Sequence, residues 1–316
     1  MRIIHGLPSF PPELSPSVVA LGTFDGIHLA HARILATAVE RARARGVTSL
    51  VCTFDPNPAA VLRPDRAPAP LAPLEENLAR IALLGPDAAL VMPFTVELSR
   101  MEAETFVEDV LLRALGAREI VVGFNHTFGR DARGTAMLLK EIGERRGFAV
   151  HVLPPLEVAG QIVSSSAIRE ALRDGDVEMA RLLLGRPYAV NGRVLRGAGR
   201  GRTLGFPTAN LRPDRPLILA PGVYAARASW DETRADAVVN VGYRPTFGEE
   251  QYWIETYVFD FSGDLYDRRF TVEFLRHIRG EMKFSGVEAL TRQVALDMET
   301  ARRLLGEERA SGGAGV

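Results

Sequence analysis

Hydrophobic and polar positions along the first half of the chain predict strands and helices in alternation. The predicted strands are Ser17–Leu21, Val47–Phe54, Ala88–Met92, Glu119–Val122 and Phe148–Leu153. The predicted helices are His28–Arg45, Glu75–Leu84, Ala103–Leu115, Thr135–Arg146, Ala167–Leu172 and Asp176–Leu184. Strands separated by helices indicate βαβ units and therefore an α/β fold with a parallel sheet. Asp55–Pro73 holds six prolines, which predicts an irregular loop.

The pattern changes after Leu184, where short strands joined by Gly, Pro and Asp turns replace the alternation. The predicted strands are Tyr188–Arg196, Gly222–Ser229, Ala237–Val241, Tyr252–Phe261 and Arg269–Leu275. Closely spaced short strands are typical of a small antiparallel β-barrel. An amphipathic helix over Val287–Leu305 follows. We therefore expect two domains, 1–184 and 185–316, with the boundary at 184–187.

Charge and composition exclude several classes of protein. Residues 1–184 carry 19 basic and 22 acidic side chains, and the remainder 19 and 17, so neither half is a bulk nucleic-acid binder. The two lysines, Lys140 and Lys283, lack the context of a Walker-A loop. One cysteine, Cys52, excludes a disulfide framework, and its apolar surroundings predict a structural role. No apolar run reaches a membrane span, and the N-terminus lacks a signal-peptide core, so we expect a cytoplasmic protein.

The segment GTFDGIHLAH, residues 22–31, follows the first predicted strand and enters the first helix. His28 and His31 are three residues apart and face the same way on a helix. A helix N-terminus attracts anions through its free N–H groups, so the two imidazoles predict a phosphate-binding site. The alternative is a helix start that carries two surface histidines.

This segment resembles the GxFDGxHxGH motif of nucleotidylyltransferases, as found in bacterial bifunctional riboflavin kinase/FMN adenylyltransferases (FAD synthetases). The resemblance extends over about residues 15–306 and implies a Rossmann-like, nucleotidylyltransferase-like first domain. It implies that His28 and His31 polarise the ATP phosphates. Further residues of the segment implied to bind ATP are Gly22, Phe24, Asp25 and Gly26. Ala30 occupies the position at which the family motif has its second glycine.

Two further loops of the first half are similar to family segments. TFDPNP is similar to TFDPHP, with Asn57 in place of histidine, and the resemblance implies a position near the flavin. The alternative is a proline-rich loop that only turns the chain. VVGFNHTFG is similar to VVGxNFTFG, which implies that Asn125 contacts ATP and that Phe128 lies near the flavin. His126 replaces an aromatic residue and is equally consistent with a plain loop position.

The segment SSSAIR, residues 164–169, is the counterpart of the family's SSTxxR motif. Serines at a helix start can cap it, which is the simpler interpretation. Ser165 and Ser166 can also join free N–H groups in holding a phosphate, and Arg169 can bind one bidentately. Adenylyl transfer needs such donors where charge develops, so this motif and the two histidines support each other.

A glycine- and arginine-rich segment, GAGRGRTLGFPTAN, opens the second half. Glycines let a backbone approach phosphates closely, and Thr and Asn oxygens suit Mg²⁺ held jointly with ATP. The alternative is a flexible turn. The segment matches the riboflavin kinase signature GRGxxLGFPTAN, which implies that Gly199, Gly201 and Arg202 bind ATP and that Thr208 and Asn210 hold ATP and Mg²⁺.

Two more segments complete the second half's candidate site. Glu255 lies mid-strand, on the face opposite Ile254 and Thr256, where it is either a solvated carboxylate or a functional one. The resemblance implies that it takes the proton from the ribityl 5′-hydroxyl of riboflavin. RGEMKF resembles the family's RxExKF segment, implied to contact the isoalloxazine through Arg279 and Phe284. The alternative places Phe284 in the core.

The sequence therefore predicts an enzyme that phosphorylates riboflavin to FMN and then transfers AMP from ATP to FMN, giving FAD and pyrophosphate. Mg²⁺ is implied in both reactions. One alternative is a riboflavin kinase whose adenylyltransferase half has decayed, because Ala30, Asn57 and His126 depart from the family pattern. The other is a non-catalytic flavin carrier or regulator. We expect small-molecule substrates, no nucleic-acid or membrane partner, and a monomer or weak homo-oligomer.

Overall fold

The computed structural model describes residues 1–196, 206–246 and 249–312. The chain divides into two compact units, Met1–Ser165 and Ser166–Val316. The boundary expected from the sequence lies later, at 184–187. The two helices between residues 165 and 184 belong to the second unit by their contacts, whereas the sequence groups them with the first domain.

A six-stranded sheet forms the centre of the first unit. Its strands are β1 (Arg2–His5), β2 (Ser17–Leu21), β3 (Thr48–Asp55), β4 (Ala88–Pro93), β5 (Ala117–Gly123) and β8 (Ala149–Leu153). They lie in the order β1-β4-β3-β2-β5-β8, and every pair is parallel, as predicted. Two short hairpins complete the unit's strands: β6 (Thr127–Phe128) with β7 (Gly134–Thr135), and β9 (Glu157–Val158) with β10 (Gln161–Ile162).

Helices cover both faces of this sheet. They are α1 (Leu29–Arg45), α2 (Pro58–Leu62), α3 (Leu74–Leu83), α4 (Val96–Ser99), α5 (Ala103–Thr105) with the π-helix Phe106–Ala114, and α6 (Ala136–Arg146). Alternate residues of β2 enter two different apolar clusters, which explains why the whole strand is apolar. Cys52 is fully buried between β2 and β4, and burial raises the pKa of its thiol to about 12.

The expectation of an irregular loop over Asp55–Pro73 is partly wrong. α2 forms inside it, followed by a 3-10 turn at Pro64–Arg66. The Asn57 side chain accepts a hydrogen bond from the Ala59 N–H at 2.9 Å, and Pro58 occupies the first helical position. An asparagine N-cap followed by proline starts a helix even in a proline-rich segment.

A buried carboxylate links α1 to the sheet, near the N-terminal end of strand β5. Glu119 of β5 is fully buried, which by itself raises the pKa of a carboxyl group. Hydrogen bonds from Arg41 and Arg45 of α1 and from His151 of β8 outweigh that penalty and lower the pKa of Glu119 to about 2. The carboxylate therefore stays ionised and ties α1 to two strands.

The second unit is a closed antiparallel barrel with helices. Its helices are α7 (Ser165–Arg173, of which Ser165 itself falls in the first unit), α8 (Val177–Leu184) and α9 (Val287–Gly312). Its strands are β11 (Tyr188–Leu195), β12 (Ala209–Pro213), β13 (Gly222–Trp230), β14 (Thr233–Thr246), β15 (Glu249–Val258) and β16 (Arg269–Arg279). They close in the order β11-β12-β15-β14-β13-β16, with β16 pairing back to β11. The barrel and the terminal helix agree with the sequence prediction. The sequence predicted no strand at β12, because its glycine-rich neighbourhood obscures the strand pattern.

The terminal helix packs against the outside of the barrel. Ala301 and Leu305 of α9 are fully buried against an apolar cluster that includes Val223, Val238 and Leu275. Burial of this kind stabilises a fold by about 25 cal/mol per Å² of apolar surface. The helix is therefore an integral part of the second unit.

Candidate active sites

The first candidate site lies where β2 ends and α1 begins. His28 is the N-cap of α1, and its Nδ1 accepts a hydrogen bond from the His31 N–H at 3.2 Å. Because Nδ1 accepts this bond, the ring proton of a neutral His28 lies on Nε2. The two imidazole rings stack with centroids 3.6 Å apart. The structure thus brings together the two histidines that the motif singles out.

His31 is held as a neutral imidazole. Burial, and then the neighbouring His28, lower the pKa of His31 well below 6.5. Its Nδ1 is buried without a hydrogen-bond partner among the described residues. Phe24 packs edge-on against the ring at 5.2 Å, and its own ring fills the space beside Gly22, where a Cβ would lie 3.3 Å away. Gly22 and Phe24 therefore shape the position of His31, while their predicted contact with ATP stays a prediction.

Asp25 directs its carboxylate into the protein. It is 7% exposed, and its two oxygens accept hydrogen bonds from the N–H groups of Leu71 and Ala72 at 3.0–3.2 Å. Gly26 has a φ of +79°, and a Cβ there would lie 2.8 Å from the Leu71 side chain. Both residues thus pack the turn against the segment before α3, and their predicted role in ATP binding remains untested.

Asn77 of α3 contacts the histidine turn, although no sequence motif pointed to it. Its Oδ1 accepts the Gly26 N–H at 2.8 Å, and its Nδ2 donates to the Ala72 carbonyl at 3.2 Å. A signal was available, because Asn77 shares a helix face with the apolar residues Leu74, Leu78 and Ile81. A polar residue in an apolar stripe needs a buried partner.

The loop after β5 emerges at the same edge of the sheet as the histidine turn. β2 and β5 are parallel neighbours, and the chain reverses its direction of travel across the sheet between them. Ligands of open α/β sheets bind outside the carboxyl ends of strands at such a switch point. A Cβ at Gly123 would touch Ile34 of α1 at 3.5 Å, which shows how close the loop lies to that helix.

Within this loop, Asn125 is exposed while His126 and Phe128 are half-buried. The His126 ring lies nearly parallel to that of Phe128, with centroids 5.8 Å apart. Burial lowers the pKa of His126 to about 4, and its Nε2 has no partner among the residues described. His126 therefore behaves as a neutral ring in an aromatic stack, which fits a position where the family has an aromatic residue.

The SSSAIR motif spans the division between the two units. Ser165 begins α7, and its hydroxyl donates to the Asp25 carbonyl at 3.2 Å within the first unit. Ser166 is exposed and Arg169 is 5% exposed, and both belong to the second unit. Ser165 is thereby connected to the histidine turn. Asn57, predicted to lie near the flavin, uses its side chain as the helix cap described above.

The second candidate site lies on the outer face of the barrel. Asn210 of β12, Glu255 of β15 and Asn240 of β14 occupy one register row across three neighbouring strands. Ile254 and Thr256 on either side of Glu255 are fully buried, so Glu255 lies on the opposite face, as predicted. The row places polar side chains from three strands next to one another.

Trp253 links this row, and sequence analysis did not assign it a role. Its indole N–H donates to Asn210 Oδ1 at 2.8 Å and to Glu255 Oε1 at 3.1 Å. The period of two along β15 puts Trp253 and Glu255 on one face, which was a usable signal. The shared donor holds the amide and the carboxylate side by side.

The oxygen donors of this row fit a magnesium ion that is shared with a nucleotide. Thr208 is half-buried just before β12, two residues from Asn210, which is 9% exposed. A carbonyl oxygen has two lone pairs, so Asn210 retains acceptor capacity beside its bond from Trp253. Within the described residues, no three His, Cys, Asp or Glu side chains cluster to form a metal cage. Mg²⁺ commonly takes only one or two protein oxygens together with substrate phosphates. Gly199, Gly201 and Arg202 lie outside the described residues.

Arg279 is engaged by the terminal helix. Its guanidinium makes three hydrogen bonds of 2.7–3.1 Å to the carboxylate of Asp297, which is 4% exposed. It also lies over the Phe284 ring, 5.8 Å from the centroid. Arg279 and Phe284 therefore stack on each other, and their predicted contact with the flavin stays a prediction.

Comparison with known families assigns both halves of the chain. Residues 10–167 match a family described as FAD synthetase, and residues 184–305 match one described as riboflavin kinase. Bifunctional riboflavin kinase/FMN adenylyltransferases are similar to this chain: 38% identical in Pseudomonas fluorescens, 37% in Bacillus subtilis and 35% in Escherichia coli K12. Each alignment covers 96–97% of this chain and 97–98% of the relative. The presence of both domains supports the bifunctional hypothesis over a kinase alone or a carrier.

A solved structure has the same fold over nearly the whole chain. It is described as a macrolide-efflux protein from Streptococcus pneumoniae, with a TM-score of 0.85, 32% identity and coverage of 96% of this chain and 99% of the other. None of the helices in the ranges given above is long and apolar enough to cross a membrane. Two matched domains and relatives aligned along almost their entire length lead to one conclusion: the chain belongs to the family of bifunctional riboflavin kinase/FMN adenylyltransferases.

Proposed function

We propose that the two domains expected from the sequence, 1–184 and 185–316, divide the two reactions of this enzyme, with FMN adenylylation in the first and riboflavin phosphorylation in the second. The observation that carries the first assignment is the stacked His28–His31 pair at the N-terminus of α1. That helix end and a neutral imidazole offer N–H donors to an anion. A phosphate oxygen of FMN attacks the α-phosphorus of ATP, and pyrophosphate leaves.

In this reaction the two histidines stabilise the charge that develops on the transferring phosphate. Donors that are fixed before the reaction stabilise a transition state without reorganising, and each is worth on the order of 10²–10³ in rate. Ser165, Ser166 and Arg169 supply further phosphate contacts in this proposal. Asn125, Phe128 and Asn57 are assigned to the nucleotide and the flavin through their motifs.

In the second unit, Glu255 takes the proton from the ribityl 5′-hydroxyl of riboflavin as that oxygen attacks the γ-phosphorus of ATP. ADP leaves, and FMN is the product. The hydrogen bond from Trp253 that fixes the carboxylate supports this role, because phosphoryl transfer depends mainly on positioning and charge. Gly199, Gly201 and Arg202 hold ATP in this proposal, and Arg279 with Phe284 borders the flavin.

Thr208 and Asn210 are the residues that hold Mg²⁺ in this proposal, together with ATP phosphates. When bound, the ion would neutralise phosphate charge. Asn210 and Glu255 are held by the same indole N–H, so the metal-binding and proton-accepting oxygens occupy neighbouring positions. We also propose a cytoplasmic enzyme, since both reactions consume ATP and Cys52 is a free thiol. A monomer or weak homo-oligomer stays an expectation from the sequence.

Incubation of the protein with riboflavin, ATP and MgCl₂, followed by chromatographic separation of flavins over time, tests this function. We expect FMN to form first and FAD to follow, and an excess of EDTA to stop both steps. FMN that accumulates without FAD would indicate a kinase with a decayed first unit. Bound but unchanged riboflavin would indicate a carrier.

A further inference from the structure

The turn that carries His28 has an unusual backbone. Gly26 and Ile27 both have positive φ angles, +79° and +38°, before His28 returns to an extended conformation as the helix cap. Left-handed conformations cost free energy for residues other than glycine, and Ile27 is β-branched. Such a turn persists only where neighbouring groups hold it in place.

Asn77 is one group that holds it. Its amide bridges two segments, because it accepts the Gly26 N–H at 2.8 Å and donates to the Ala72 carbonyl at 3.2 Å. Asn77 is 7% exposed, so water cannot easily replace either bond. The bond to Gly26 acts on the peptide group two residues before His28.

Asp25 makes the reciprocal connection. Its carboxylate accepts hydrogen bonds from the N–H groups of Leu71 and Ala72. The segment 71–72 is therefore hydrogen-bonded both to Asp25 and to Asn77. The helix α3 that carries Asn77 begins directly after this segment, at Leu74. Asp25, Asn77 and residues 71–72 therefore form a closed set of buried hydrogen bonds around the base of the turn.

We propose that Asn77 is a positioning residue for adenylyl transfer, acting through the Gly26–His28 turn and not by contact with substrate. The inference rests on the proposed function of His28 and His31. Misplacing a catalytic group by about 1 Å can cost on the order of 10²-fold in rate. Interactions that matter mainly in the transition state affect kcat more than KM.

The test uses Asn77→Ala in the full-length enzyme, with supplied FMN and MgATP. We expect kcat for FAD formation to fall about 10- to 100-fold, the KM for ATP to change less, and riboflavin phosphorylation to stay within about twofold. Ile81→Val is the matched control, since it weakens the buried face of the same helix and leaves the hydrogen bonds of Asn77 and Asp25 in place. It should leave kcat near the parental value. If the alanine variant does not fold, Asn77→Ser replaces it in the same test.

A double-mutant cycle with His28→Ala distinguishes positioning from general structural support. If Asn77 acts through His28, Asn77→Ala should lower the rate little further in the His28→Ala background. Fully additive effects, an unchanged kcat in Asn77→Ala, or an equal loss in Ile81→Val would overturn the proposal. If His28→Ala itself makes FAD at the parental rate, the proposed function of the histidines fails first, which is a separate outcome.

Discussion

The imidazole rings of His28 and His31 lie nearly parallel, 18° apart, with their centroids separated by 3.6 Å. Two protonated rings at that distance would repel each other strongly. Burial and the neighbouring ring both lower the pKa of His31, so this histidine is neutral at physiological pH. His31 is therefore a preorganised neutral ring, and any positive charge at this position comes from other groups.

Removing one of these donors should affect only one of the two reactions. His28→Ala deletes the donor and the cap of α1, so FAD formation from FMN should fall by on the order of 10²–10³. FMN formation from riboflavin should stay at the parental rate, because that chemistry is assigned to the second unit. Steady-state assays of each step measure both rates, and parental FAD formation would show that His28 has no part in the reaction.

His126 should make the stability of the first unit depend on pH. Its pKa is about 4 in the folded protein against 6.5 for an ordinary histidine, so below pH 6.5 the unfolded chain gains a proton that the folded chain does not. Stability is thus lost as pH falls from about 6.5 towards 4. At pH 5 the free energy of unfolding is therefore about 2 kcal/mol lower than at neutral pH, since each pH unit below 6.5 costs about 1.36 kcal/mol.

His126→Phe should remove this loss and keep the aromatic stack on Phe128. Urea unfolding at pH 7.5 and pH 5 measures the change, and the variant's advantage over the parent should be larger at pH 5. His5→Phe, at an exposed histidine of the same unit, is the control and should leave the pH dependence as it is. An equal advantage of His126→Phe at both pH values would contradict the buried, neutral state of His126.

The starting point of a kinase fragment should determine whether it folds well. Val177, Ala180 and Leu183 of α8 are fully buried in the second unit, and Glu178 pairs with Arg276 of β16. A buried Val or Leu side chain is worth about 1.5–3 kcal/mol. The sequence alone predicts that a fragment starting near Gly185 folds and phosphorylates riboflavin.

The packing of α8 changes that expectation in favour of a longer fragment. Residues 166–316 should form a stable riboflavin kinase, whereas 185–316 should unfold at a lower temperature or precipitate. Thermal unfolding and riboflavin phosphorylation of the two fragments provide the comparison. Equal melting temperatures would mean that α7 and α8 contribute nothing to the barrel.

Glu255→Gln should disable the kinase selectively. Glutamine keeps the shape and an acceptor for the Trp253 indole but cannot take a proton, and general-base help is commonly about 10²–10⁴-fold. FAD formation from supplied FMN should be unaffected. Glu273→Gln is the matched control, because Glu273 lies on β16 in a surface ion pair with Arg234. Near-normal kinase turnover in Glu255→Gln would support the solvated-carboxylate interpretation.

The fold could be predicted where the signal is local. β2 has the predicted bounds, α1 and the barrel strand β11 differ by one residue at one end, and the period of two assigned Glu255 to the correct face. β12 was missed because glycines and arginines dominate the segment that precedes it. The short helix α2 was missed because six prolines outweighed the single capping signal of Asn57.

The site was predictable as a set of motifs but not as a network. Asp25 binds groups 46 and 47 residues away, and Trp253 binds Asn210 across 43 residues. Such partners are determined by tertiary packing, which leaves no fixed spacing in the sequence. Arg279 shows the same limit, since its motif suggests a flavin contact while Asp297 of the terminal helix takes its guanidinium.

We infer that each reaction belongs to its own domain, 1–184 or 185–316, and mixing the two disabled enzymes tests this division most directly. His28→Ala alone should convert riboflavin to FMN and stop, and Glu255→Gln alone should convert supplied FMN to FAD but leave riboflavin unchanged. Together, with riboflavin and MgATP, they should produce FAD, because FMN released by one is adenylylated by the other. A mixture that yields no FAD, or either variant alone that makes FAD from riboflavin at the parental rate, would contradict the assignment.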